Sequence, residues 1–103
     1  VMKGTAFSVA APATTGIDFA SGNTAYTAVV CAGATWTVSN MADGTMYMVA
    51  VQGTAHTGTC AFSDGSSTFK YQPTNATPTN AKDVIYSMIK IGTVVYVSWI
   101  DAW

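Results

Sequence analysis

The chain has 103 residues, of which 50% are hydrophobic and 9% charged, for a formal net charge of −1; ordinary soluble domains carry about 25% charged residues. It contains no Arg and no Glu, and Lys3, Lys70, Lys82 and Lys90 are scattered, so the clustered cations that displace counterions from phosphates are missing and nucleic acid is excluded as a partner. No apolar run approaches the roughly 20 residues of a membrane helix, which excludes insertion by a helix and leaves other copies of the chain as the expected cover for so much apolar surface.

Residues 1–103 are expected to form one domain. Val1 to Ala10 lacks the apolar core of a signal peptide. Thr5 to Val9 reads as a short strand, followed by an Ala-Pro-Thr loop through Gly16. Ile17 to Phe19 and Ala25 to Cys31 read as strands on either side of the Ser21-Gly22-Asn23 turn. Thr35 to Ser39 alternates, placing Trp36 and Val38 on one face and hydroxyls on the other. Asp43-Gly44 is a hairpin signal leading into Met46 to Val51, a strand apolar on both faces. Thr57 to Ser63 follows, and Asp64-Gly65-Ser66-Ser67 turns the chain into Thr68 to Tyr71. Gln72 to Lys82 is a long polar loop. No segment combines a 3.6-residue period with good helix formers, and Thr and Val dominate. The fold class expected is all-β, an antiparallel jelly-roll-like β-sandwich of short strands joined by tight turns and closed by a β-hairpin.

That hairpin is the most informative element. Val84 to Ile91 and Val94 to Trp99 flank Gly92-Thr93, a two-residue type II′ turn. The register pairs Ile91 with Val94, Ile89 with Tyr96, Ser87 with Ser98 and Ile85 with Ile100. The opposite face pairs Tyr86 with Trp99, Met88 with Val97 and Lys90 with Val95. A half-buried hairpin needs one polar face, whereas this one is apolar on both. One face is expected to pack inside the domain, and Ile85, Ile89, Tyr96 and Ile100 are the candidate subunit interface.

The stretch from Asp83 to Trp99 (DVIYSMIKIGTVVYVSW) resembles the closing strands of bacteriophage tail-fibre and related virion-appendage proteins. Thr35-Trp36-Thr37-Val38-Ser39-Asn40, Asp43-Gly44, Met46 to Val51 and Thr59 to Phe62 resemble the preceding part of the same module, so the likeness runs from about Asn23 to Trp103. It implies a β-sandwich at the C-terminal end of a longer fibre protein, on tail or head, assembled as a homotrimer. It implies contacts with other virion proteins, a role in host-surface receptor binding, and residence in the virion after assembly in the bacterial cytoplasm. Two other readings stay open: a secreted bacterial carbohydrate-binding β-sandwich, and a subunit of a non-viral surface filament, either of them secreted or on the cell surface.

Little in the sequence points to chemistry. His56 is the only histidine and lies in a small-residue stretch that reads as an exposed loop. Asp18, Asp43, Asp64, Asp83 and Asp101 are spread singly, and Asp43 and Asp64 each precede Gly, which turn geometry explains. No catalytic residue, metal site or cofactor is expected. A glycan would find its best partners in Tyr71, Asn75, Thr77, Asn80 and Trp103, two aromatics beside neutral hydrogen-bonding groups. Cys31 and Cys60 read as buried thiols acting as small hydrophobes, reduced in a bacterial cytoplasm; a bridge between adjacent strands is open, since geometry decides it.

Overall fold

The computed structural model describes residues 5–9 and 16–103; the rest of the expected Ala-Pro-Thr loop lies outside them. Among the described residues nine strands form: β1 (Phe7–Ser8), β2 (Ile17–Asp18), β3 (Thr24–Thr27), β4 (Thr35–Ser39), β5 (Met46–Val51), β6 (Ala61–Ser63), β7 (Thr68–Gln72), β8 (Val84–Ile91) and β9 (Val94–Ile100). A 3-10 turn, Phe19–Ser21, follows β2, and no α-helix occurs among the described residues. The strands make a six-stranded sheet in the order β1-β3-β5-β8-β9-β7 and a three-stranded sheet in the order β2-β4-β6.

The pairing corrects the expected antiparallel jelly roll. β1, β3 and β5 stack in parallel, as do β2, β4 and β6. Among the described strands, β5 with β8 and β8 with β9 are the antiparallel pairs. The first six strands therefore wind as a solenoid, each coil giving one strand to each sheet. The reason lies in the turns. Ser21-Gly22-Asn23, Asp43-Gly44 and Asp64 to Ser67 do turn the chain tightly, but each carries it from one sheet to the other. Asp43-Gly44 is a corner rather than a hairpin, and its contacts hold it there. The Asp43 carboxylate accepts from the Gly92 N–H at 2.6 Å, and the Gly44 N–H donates to the Lys90 carbonyl at 2.6 Å. β7 runs parallel to β9 as the first strand of a fourth coil, displaced from β5 by the β8–β9 hairpin between them.

The long connections between the sheets, residues 28–34 and 52–60, also stack. Gly33 N–H donates to Thr59 O, and the N–H groups of Thr57 and Gly58 both donate to Cys31 O. Cys31 and Cys60 are fully buried and form a disulfide joining these two coils, with Cα atoms 4.8 Å apart. The bridge replaces the buried thiols expected from sequence: stacking coils brings together cysteines that lie far apart along the chain. His56 corrects another expectation, being 6% exposed instead of lying in an open loop. Its Nδ1 accepts from the Cys31 N–H at 3.2 Å, which leaves the proton on Nε2 to reach the Lys82 carbonyl at 2.8 Å.

The core fills the space between the sheets. Ile17, Trp36, Val38 and Phe62 face inward from the smaller sheet, and Tyr47, Val49, Tyr86, Met88, Val97 and Trp99 from the larger. Phe62 meets Tyr86 edge-on at 5.1 Å, Tyr86 stacks on Trp99 at 5.8 Å, and Phe19 lies 4.5 Å from Tyr47 between ring centroids, separations at which aromatic pairs attract beyond their area burial.

Candidate interaction face

The hairpin register is the one expected. Ile85 pairs with Ile100, Ser87 with Ser98, Ile89 with Tyr96 and Ile91 with Val94. Gly92 has φ 63°, and Thr93 is not among the positive-φ residues, as a type II′ turn requires. Tyr86, Met88, Val97 and Trp99 point into the core. Because side chains alternate along a strand, Ile85, Ile89, Tyr96 and Ile100 point outward together.

Neighbouring strands extend this outer face into four rows. The first runs Tyr26, Ala50, Ile85, Ile100; the second Thr24, Met48, Ser87, Ser98, Gln72; the third Met46, Ile89, Tyr96, Lys70; the fourth Ile91, Val94, Thr68. Ile100 is 61% exposed, Met46 55%, Ile91 54% and Tyr96 47%. On an isolated chain this is a large apolar patch open to water. The outer face of the three-stranded sheet is different: Thr35, Thr37 and Ser39 are exposed there, with Trp36 and Val38 beneath. A depression of about 310 Å³ lies on the larger sheet, lined by Met46, Lys70, Ser87, Ile89, Tyr96 and Ser98 among others.

The five residues expected to favour a glycan are not brought into one site. Tyr71 is half-buried, and its hydroxyl accepts from the Phe62 N–H at 2.9 Å; burial pushes the phenol's pKa up, partly offset by that N–H. Asn75 turns inward and donates from Nδ2 to the Cys60 carbonyl at 2.8 Å, while its Oδ1 is buried without a partner. Both residues thus cap the free edge of β6, work that sequence reasoning missed because neither neighbour is near in the chain. Thr77, Asn80 and Trp103 are exposed, and none of the five but Tyr71 borders the depression.

The polar loop containing Asn75 to Lys82 is a strap held at several points. Trp99 Nε1 donates to Pro73 O at 2.8 Å, Ala81 N–H to Thr54 O at 2.7 Å, and Thr79 N–H and hydroxyl both donate to the Asp101 carboxylate.

The carboxylates are used in the same structural way. Asp18 accepts from Ala20 N–H and Asn40 Nδ2. Asp64 accepts from Ser66 and Ser67 and lies 3.9 Å from Lys90. Partial burial opposes its charge, but the Ser67 hydroxyl, the Ser67 and Ser66 N–H groups and the Lys90 ammonium outweigh that, and its pKa falls from 3.8 to about 2. Lys90 shares the inward-pointing register of Tyr86 and reaches its partner beside the turn. Among the described residues no three His, Cys, Asp or Glu side chains gather as a metal would need.

The chain matches no protein-family model, no curated protein and no solved structure. The fold and its two unlike faces are therefore the basis for a functional reading.

Proposed function

We propose that this domain is a non-catalytic assembly module of a virion appendage, joined to further copies of itself through the outer face of its six-stranded sheet. The observation that carries the reading is the contrast between the two outer faces. Hydroxyls cover the smaller sheet, whereas Tyr26, Met48, Ile85, Ile89, Tyr96 and Ile100 cover the larger. Exposed apolar patches on this scale mark surfaces that meet another macromolecule. The resemblance of Asp83 to Trp99 to the closing strands of phage fibres supports the setting. Tyr71 and Asn75 are committed to the edge of β6, which weighs against the carbohydrate-binding reading.

The disulfide favours a second setting for the same role, a subunit of a secreted surface filament, because such bridges persist in oxidising compartments. Thiol titration of unreduced, denatured protein taken from its native assembly separates the two. Two free thiols support assembly in the cytoplasm, and none supports export.

The assembly role itself is tested with Ile89→Lys. A charge placed on an apolar contact is costly unless it escapes to water. On the open face of a lone chain it escapes, so the variant is expected to keep the wild-type circular dichroism while its mass in solution falls to that of one chain. A folded variant with the assembly state of the wild type overturns the role.

A further inference from the structure

We infer that two copies of this domain pack face to face through their six-stranded sheets, about a two-fold axis that lies in the contact plane between the second and third outer rows. The inference rests on the assembly reading above and names the partner and the contact. Its basis is the alternation of large and small side chains across the hairpin. Ile85 with Ile100 and Ile89 with Tyr96 form two ridges with the small pair Ser87 and Ser98 between them, and the depression of about 310 Å³ lies over the serines and the Ile89–Tyr96 ridge.

A two-fold axis parallel to the rows exchanges the second row with the third and keeps each strand opposite its own equivalent. Tyr96 then enters the valley over Ser98 of the second copy, and Ile89 enters over Ser87. Lys70 meets Gln72 rather than another ammonium, so the charge on this face finds a neutral amide oxygen. The surface is self-complementary, as an isologous contact requires. A cyclic trimer, expected from the fibre resemblance, needs two different patches and does not use this match.

The size is sufficient. Strands about 4.8 Å apart and outward rows about 6.8 Å apart give a face of roughly 500 Å² in projection. Two copies thus cover roughly 1,000 Å² before side-chain relief is counted, the lower bound for a specific interface.

The test fills the valley. Ser98 is exposed, so Ser98→Trp leaves the fold intact but holds the second copy's ridge away. It is expected to weaken pairing by at least about a hundredfold, the scale of a disrupted central contact, with unchanged circular dichroism. Thr35→Lys, on the outer face of the three-stranded sheet, keeps the wild-type mass. Mixing Tyr96→Cys copies with Ser98→Cys copies and a short bis-maleimide, which spans the roughly 10 Å between packed sheets, is expected to give a covalent pair. A wild-type mass of three chains, or two-chain pairing that survives Ser98→Trp and yields no covalent pair, overturns the face-to-face contact while leaving self-assembly standing. A wild-type mass of one chain overturns both.

Discussion

The hydroxyl of Tyr71 and the amide of Asn75 do for β6 what another strand would otherwise do, since they meet the Phe62 N–H and the Cys60 carbonyl on its open side. Leaving such a buried group unpaired costs about 1–3 kcal/mol. Tyr71→Phe and Asn75→Ala are each expected to lower unfolding stability in urea by that amount, without changing the far-ultraviolet spectrum. His56 is a similar case, because it ties the Cys31 N–H to the Lys82 carbonyl. Asp64 gives a pH dependence of known sign. Its pKa in the folded chain is about 2 against 3.8 ordinarily, so its stabilising contribution is complete above the unfolded value and is lost as pH falls through the folded one. Urea midpoints are expected to drop between about pH 4 and pH 2, and Asp64→Asn is expected to flatten part of that drop. The turn role of Asp64 was legible in the sequence, but the pairings of Tyr71, Asn75 and His56 were not. Tyr71, Asn75 and His56 all find partners in other coils, and a residue type by itself does not say whether a polar atom meets water or a backbone.

At the scale of elements, what was legible divides by the range of the interactions. β4 falls where alternation places it, β5 and β8 where their apolar runs between turn signals place them, and the β8–β9 register follows from its two-residue turn, because all are decided by near neighbours. The solenoid winding was not legible. Phe7 pairs with Ala25 and Ala25 with Val49, while Ile17 pairs with Val38 and Trp36 with Phe62. These coils are unequal in length, so no fixed period marks them, and a Gly turn looks the same whether it closes a hairpin or changes sheets. The coils are held by close stacking at their corners. A Cβ on Gly58 would sit 2.6 Å from the Gly33 nitrogen and 2.8 Å from the Ala32 carbonyl carbon, both rigid backbone. Gly58→Ala is expected to destabilise the domain by about 1–3 kcal/mol, as overpacking does. The Cys31–Cys60 bridge spans a sequence separation of 29 residues. By chain entropy a loop of that size is worth roughly 3–4 kcal/mol. Reduction is expected to lower the thermal midpoint by a comparable free energy, and a reduced protein as stable as the oxidised one would show that the stacked corners suffice.

On the whole molecule, a two-sheet core with one hydroxyl-covered outer face and one apolar outer face is finished on one side only. The inward face of the hairpin is buried by the chain itself, so the expectation that both faces need cover reduces to the outward one. There the sequence reading named Ile85, Ile89, Tyr96 and Ile100, and the fold adds Tyr26, Met46 and Met48 from β3 and β5. Those three could not be assigned to the same surface until the parallel stacking set β3 and β5 beside the hairpin. In the proposed contact the exposed Tyr96 of each copy meets Ser98 of the other. Sedimentation equilibrium of the oxidised wild-type domain across the micromolar range measures its completion directly. A two-chain species built from the 10.7 kDa chain and dissociating on dilution is expected; a chain that stays single at every concentration overturns self-assembly through this face.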